Sequence, residues 1–261
     1  MSAVTDVGHT QENQPPGVPP LSLTGERTLP DVPAENYWYR RHLAVYEWIA
    51  SQVADARVLD MACGEGYGAA TLAAGVAQSV VGVDANPEAH EHARLRYQAR
   101  GLSFERGLVE TWGDAGTFDA VTFLQTIEHV QDPAAVLRHL RGLLAPGGTA
   151  FVSTPNLLTL APRGAAKSDN PWHIKEYRAP EFRELCESVF ESVRLYGLYH
   201  ARKLRAHELA LGLGWDQVHQ RLGLTRLFYD RFTPAISAQD FVLSDVRPLH
   251  AALDFVAVCR F

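Results

Sequence analysis

The most informative spacing in the sequence is Asp60-Met-Ala-Cys-Gly64-Glu-Gly66, followed by Asp84 twenty residues after Gly64. Glycines so placed let the backbone turn sharply and let a ligand approach with no Cβ in the way. An acid about twenty residues downstream accepts hydrogen bonds from a ribose diol. Gly64-x-Gly66-x-x-Ala69 also satisfies the dinucleotide fingerprint, in which the last glycine can be alanine, so an NAD-dependent oxidoreductase is one reading. A dinucleotide would set its pyrophosphate against Asp60 and Glu65, however, and that repulsion favours a cationic ligand. The plainest alternative is a tight turn between strand and helix, with Asp60 as a capping acid.

Two histidines are candidates for proton transfer, because imidazole titrates near neutral pH. His129 closes the run Gln125-x-x-Glu128-His129, and His173 lies in Asn170-Pro-Trp-His-Ile-Lys-Glu-Tyr177. Structural roles compete with both: His129 can pack the start of a helix, and His173 can bond a neighbouring carbonyl. Cys63 reads as a small packing residue rather than a nucleophile.

The elements that must position these residues alternate along the chain. Short apolar runs at 56–61, 79–84, 102–107, 118–124 and 148–154 read as strands. Helical patterns fall between them at 67–75, 87–100 and 132–145, the second opened by Pro87 and the third by Asp132-Pro133. Repeated strand–helix–strand units predict a mainly parallel sheet with right-handed crossovers and helices on both faces. Runs at 189–198 and 252–260 add two strands, for seven in all. Aromatic and apolar residues at near-helical spacing predict an N-terminal cap helix over 36–53, and 200–245 reads as a helical insertion over the acceptor site. Residues 1–30, with five prolines among polar residues, are expected to form a disordered tail ahead of a domain over 31–261.

In such a sheet ligands bind at the carboxyl ends of the strands, which places the glycine loop, Asp84, His129 and His173 at one edge. A net charge of −6 argues against a nucleic-acid partner. The local exception, four basic groups between His200 and Arg205, reads as a solvated helix face. Three widely spaced cysteines exclude a disulfide framework or a cysteine zinc knuckle. With no long apolar run and no signal-peptide pattern, a cytoplasmic protein without membrane insertion is expected.

The motifs VLDMACGEGYG and VGVDANP resemble the class I S-adenosylmethionine-dependent methyltransferases, which have a Rossmann-like α/β fold. The segment FDAVTFLQTIEHVQDPAAVLRHLRGLLAPGGTAFVSTPN resembles the fourth strand and following helix of the quinone-biosynthesis O-methyltransferases and their sugar-modifying relatives. The resemblance spans roughly residues 56–160 and implies S-adenosyl-L-methionine as cofactor, whose ammonium and sulfonium suit an acidic loop. It implies that Asp60, Cys63, Gly64 and Gly66 lie along the methionine moiety, and that Asp84 binds the ribose with Ala85 and Asn86 flanking the adenosine. It further implies that Gly107–Glu110, with Leu108 and Val109, covers the adenine and that Gln125 borders the donor. Leu108 departs from the pattern: many members carry an acid there.

The quinone-type relatives hold a divalent metal with Glu-x-x-Glu-His, which would make Mg2+ a second cofactor bound by Glu128 and His129. Here Gln125 replaces the first acid. Methyl transfer to a hydroxyl is an in-line displacement needing a base, with His173, His129 and Glu128 as catalytic candidates. Thr24-Gly-Glu-Arg27, Glu35-Asn-Tyr-Trp-Tyr39 with Arg41-His42, and FYDRFTPAISAQDF over 228–241 resemble actinobacterial methyltransferases of sugar and polysaccharide modification. The acceptor this implies is a sugar hydroxyl of an oligosaccharide or glycolipid precursor, with aromatic residues closing over it as a lid. A phenolic or quinone-like small molecule is the alternative.

Overall fold

The computed structural model describes residues 10–25, 27–162 and 164–261. One eight-stranded sheet organises them, with strands β1 (Arg57–Met61), β2 (Ser79–Asp84), β3 (Leu102–Arg106), β4 (Phe118–Leu124), β5 (Leu144–Pro155), β6 (Ser192–His200), β7 (Phe241–Ser244) and β8 (Asp254–Arg260). Their order is β3-β2-β1-β4-β5-β8-β6-β7. The first five are parallel, and β8 runs antiparallel between β5 and β6.

Central strands are covered on both faces, so they read as continuous apolar runs whose side chains alternate between two cores. Leu59, Met61, Val121 and Phe123 enter one core with α4 (Pro133–Leu143) and α6 (Ala179–Glu187). Val58, Ala120 and Leu124 enter the other with α1 (Asn36–Ala50) and α2 (Tyr67–Ala74). Gly68 makes the α1–α2 contact: a Cβ there would sit 2.1 Å from the Tyr46 ring.

Helix starts follow local capping chemistry. The Asn86 side chain accepts from Glu88 N and Ala89 N to open α3 (Pro87–Arg96), and Asp132 accepts from Ala135 N to open α4. Apolar positions Val136, Leu137, Leu140 and Leu143 then give α4 a single buried stripe. Helix α3 stops short of the expected residue 100. Tyr97 turns extended, its ring tilted against Phe104 and its hydroxyl bonded to Glu65. After β5 comes α5 (Leu157–Leu160), a single turn.

Two expectations need correcting. The sheet has eight strands rather than seven, because β7 lies within the stretch read as helical insertion. Four residues paired on one side only give too short a pattern to recognise. The rest of the insertion is helical, as α7 (Arg202–Gly212), α8 (Trp215–Leu222) and α9 (Thr225–Phe232).

The tail is also more ordered than its composition suggests. Leu21, Leu29 and Val32 form a small buried cluster, and buried Gln11 holds Leu21 N and Pro30 O. Proline costs little entropy to order, and the apolar anchors are joined by bonds from His92 to the Pro19 carbonyl and from Arg96 to Gln14 and Asp31. The part of the expected tail over 1–9 lies outside the described residues. Among the described residues no helix is long and apolar enough to cross a membrane.

Candidate functional site

The β1–α2 loop adopts the conformation its glycines permit, Gly64 at φ +56° and Gly66 at φ +99°. A Cβ on Gly66 would lie 2.7 Å from Ala93 Cβ, so this position needs glycine for both reasons. Asp84 locks the loop from the end of β2. Its Oδ2 accepts from Gly64 N and its Oδ1 from Asn86 N, each at 2.8 Å.

Above this loop lies a cavity of about 470 Å³, walled by Cys63, Gly64, Asp84, Ala85, Asn86 and Gln125 among the expected donor residues. Asp60 and Gly66 stand behind the wall. Leu108 and Val109 are not part of it. The backbone at 108–112 coils into a turn, with Thr111 N and Trp112 N both donating to Leu108 O. That turn sends Leu108 to solvent and packs Val109 on the core. Burial pushes the Cys63 thiol well above its ordinary range, consistent with a packing role.

Glu65 needs a correction too. Expected to face the ligand, it lies at the cavity wall with its side chain buried. Its carboxylate accepts from Gln11, His92 and Tyr97, with Arg96 at 3.3 Å. It therefore ties the N-terminal strap to α3 and contributes no exposed charge to the cavity.

Asp60 is different. Its Oδ1 accepts from Tyr46 and Thr122, while Oδ2 is buried with no partner among the described residues. Burial pushes this carboxyl up to about 7 against the pull of those two hydrogen bonds. A carboxyl held above its unfolded value contributes stability fully present below pH 4 and lost as pH rises through 7. Asp60→Asn should therefore flatten the pH dependence of unfolding free energy between pH 5 and 7 by up to about 1.4 kcal/mol per pH unit. Urea titrations at three pH values measure this, and equal slopes for both proteins would mean Asp60 is ionised throughout.

The other wall of the cavity begins where β4 ends. Gln125 takes φ +52°, held there by its N–H to the Ser153 carbonyl and its side-chain amide to Ser153 Oγ. A single 3-10 turn, Ile127–His129, then sets Glu128 inward and His129 at the cavity wall. Glu128 is fully buried and accepts from Thr154 Oγ1. Burial pushes its carboxyl up to about 8.

The backbone carbonyl of Glu128 accepts from Ile174 N and Lys175 N, which pins the loop carrying Trp172 and His173. His129 Nδ1 donates to the Trp172 carbonyl at 3.0 Å, which fixes the tautomer and leaves Nε2 as the basic nitrogen. His173 does not reach the cavity. It is buried behind His129, with ring centroids 4.9 Å apart, donates Nδ1–H to Glu176 at 2.7 Å and accepts from Asn170. Of the two histidine candidates, His129 therefore lines the cavity and His173 packs against it.

Glu128, His129 and His173 do bring ligand atoms within 4.8 Å of one another. One carboxylate and two imidazoles do not suit Mg2+, which prefers oxygen ligands, so the magnesium expectation does not fit this donor set. The sequence also gave no hint that α1 would line the cavity. His42, Val45 and Tyr46 share one helix face and all reach the wall, as do Arg27 and Thr28 of the strap. Burial lowers the His42 pKa to about 4, with Asp254 raising it and Arg41 lowering it further, so this ring is neutral. The expected aromatic lid is instead internal packing: Tyr37 lies edge-on to Phe241, and Tyr39 to Tyr67.

A family model described as a methyltransferase domain matches residues 37–208. A probable S-adenosylmethionine-dependent methyltransferase of Mycolicibacterium smegmatis is 35% identical over 245 residues, covering 91% of this chain and 94% of that one. A ubiquinone biosynthesis O-methyltransferase of Xanthomonas axonopodis is 40% identical over 116 residues, 42% of this chain and 48% of its own length. Among solved structures, a SAM-dependent methyltransferase of Thermotoga maritima shares the fold, with a TM-score of 0.57 at 15% identity over 87% of this chain and 94% of that one. Loop, acid and relatives agree, and the oxidoreductase reading falls: the chain belongs to the methyltransferase-domain family and is a class I S-adenosylmethionine-dependent methyltransferase.

Proposed function

We propose that this enzyme methylates a hydroxyl of a sugar, in an oligosaccharide or glycolipid precursor, with His129 as general base. The observation that carries this reading is the pairing of Trp172 and His129 on one wall. The Trp172 carbonyl orients the His129 ring, while its indole stands about half exposed at the same cavity. A flat, accessible ring is a platform for a sugar face, and a base beside it meets the hydroxyl that the platform presents.

The cavity suits the cofactor. The orphaned Asp60 Oδ2 lies just behind the glycine loop and favours a cation, and Asp84 stands where a ribose diol can donate to it. A pyrophosphate would find the Gly64 N–H already taken by Asp84. When bound, S-adenosylmethionine supplies a methyl carbon activated by the adjacent sulfonium. The chain's own residues do the remainder. The cavity wall orients the acceptor, and His129 Nε2 takes the hydroxyl proton as the oxygen attacks. Three buried free cysteines suit a reducing, cytoplasmic setting.

Methyl transfer from labelled cofactor to a panel of mannose and glucose oligosaccharides, run beside a panel of catechols and hydroxyquinones, tests the acceptor. Labelled sugar is the expected result. Label only in the phenolic panel would replace this reading with that of the quinone-type relatives, whose similarity covers 42% of the chain.

A further inference from the structure

We propose that the α7–α9 insertion is a docking surface that seats the enzyme on an anionic lipid bilayer. The three helices have an inside of their own. His207, Phe228 and Phe232 stack at ring distances of 4.7–5.6 Å, with Trp215 edge-on to Phe228 at 6.1 Å. With aromatics filling that interior, the aliphatic side chains point outward. Leu209, Leu213, Val218, Leu222 and Leu227 are each at least half exposed, and Leu213 is 90% exposed. More than half of the large exposed hydrophobics among the described residues fall between 209 and 227. Such a concentration of exposed aliphatic residues in one insertion points to a binding face rather than ordinary surface scatter.

Charge selects the occupant. Residues 202–231 carry Arg202, Lys203, Arg205, Arg221, Arg226 and Arg231 against three acids, a surplus of +3 in a chain of net −6. Leucines flanked by arginines on short amphipathic helices match the interface of an anionic membrane, where apolar groups enter the acyl boundary and cations meet headgroups. A second copy of the chain in a two-fold contact would instead oppose one cationic face with another.

The insertion is rooted beside the cavity. Asn36 Nδ2 donates to the Thr233 and Ile236 carbonyls at its end, and Tyr37 hydroxyl meets His200 at its start. Both belong to α1, whose other residues line the cavity. A docked enzyme would hold its acceptor site close to the lipid surface. A bilayer seat requires no particular acceptor, so it stands apart from the sugar reading.

Co-flotation of the full chain with vesicles of phosphatidylcholine alone, or with 30% phosphatidylglycerol, tests this directly. Binding is expected to the anionic vesicles, weakly to the neutral ones, and to fall with added salt. The triple variant Leu209→Gln, Leu213→Gln, Leu222→Gln should lose at least tenfold in partitioning, with S-adenosylhomocysteine affinity unchanged as the control for folding. Failure to float with either vesicle overturns the proposal, as does binding indifferent to vesicle charge. Sedimentation at twice the chain mass that the triple variant abolishes would assign the face to a second copy instead.

Discussion

His129→Asn is expected to lower kcat by about a hundredfold to ten-thousandfold, the usual range for losing a general base. Asparagine is smaller, but its amide N–H lies near the position of Nδ1 and can still donate to the Trp172 carbonyl, so the loop should hold its place. What disappears is the lone pair of Nε2. The affinity for S-adenosylhomocysteine should change little, because the ligand's ribose is expected at Asp84 across the cavity. The ascending limb of the pH–rate profile should vanish with the imidazole. His173→Asn is the contrasting variant. With both ring nitrogens engaged by Glu176 and Asn170 and no place at the cavity, it should cost less activity than His129→Asn and leave that limb intact. If the two variants exchanged these behaviours, His173 would be the base and the loop would have to open during turnover.

The glycine loop and Asp84 were legible in the sequence because their constraint is local. Gly64 and Gly66 answer a turn with φ > 0, and Asp84 sits at a strand end whose distance from the loop is set by one helix. Helices α3 and α4 were legible for the same reason, each carrying its own cap and proline. What stayed hidden depends on contacts between distant segments. Glu65 looked like a ligand-facing acid because nothing nearby in sequence announces that Gln11, 54 residues away, and Tyr97, 32 residues away, will claim it. The ordered strap was hidden by its prolines, and β7 by its brevity. His129 and His173 were both legible as candidates, but only the fold shows one at the wall and the other behind it. The stretch over 200–245 was read only as a helical insertion, since periodicity cannot tell which face of a helix is covered.

A buried ion pair that anchors α1 to the sheet carries the largest expected effect on stability. Arg41 in α1 and Asp254 in β8 are 213 residues apart and both buried. The guanidinium donates Nε to Oδ2 at 2.7 Å and Nη2 to Oδ1 at 2.5 Å, with a further bond to the Leu253 carbonyl. Burial alone would lower the Arg41 pKa, and the Asp254 charge more than offsets it. Asp254→Ala leaves that cation desolvated and unpaired, which costs about 3–5 kcal/mol. In a chain of this size the thermal midpoint should fall by about 6–20 °C. Because α1 also carries His42 and Tyr46 into the cavity, S-adenosylhomocysteine should bind the variant more weakly at temperatures where it is still folded. The double variant Arg41→Met, Asp254→Leu removes both charges and should recover most of the lost stability, since a desolvated ion pair is worth little more than an apolar pair of similar volume. A single variant whose midpoint stays within about 2 °C of the parent would show that α1 is anchored without this pair. The packing of Tyr46 over Gly68 and its hydroxyl bond to Asp60 would then be among the contacts that hold the cavity wall in place.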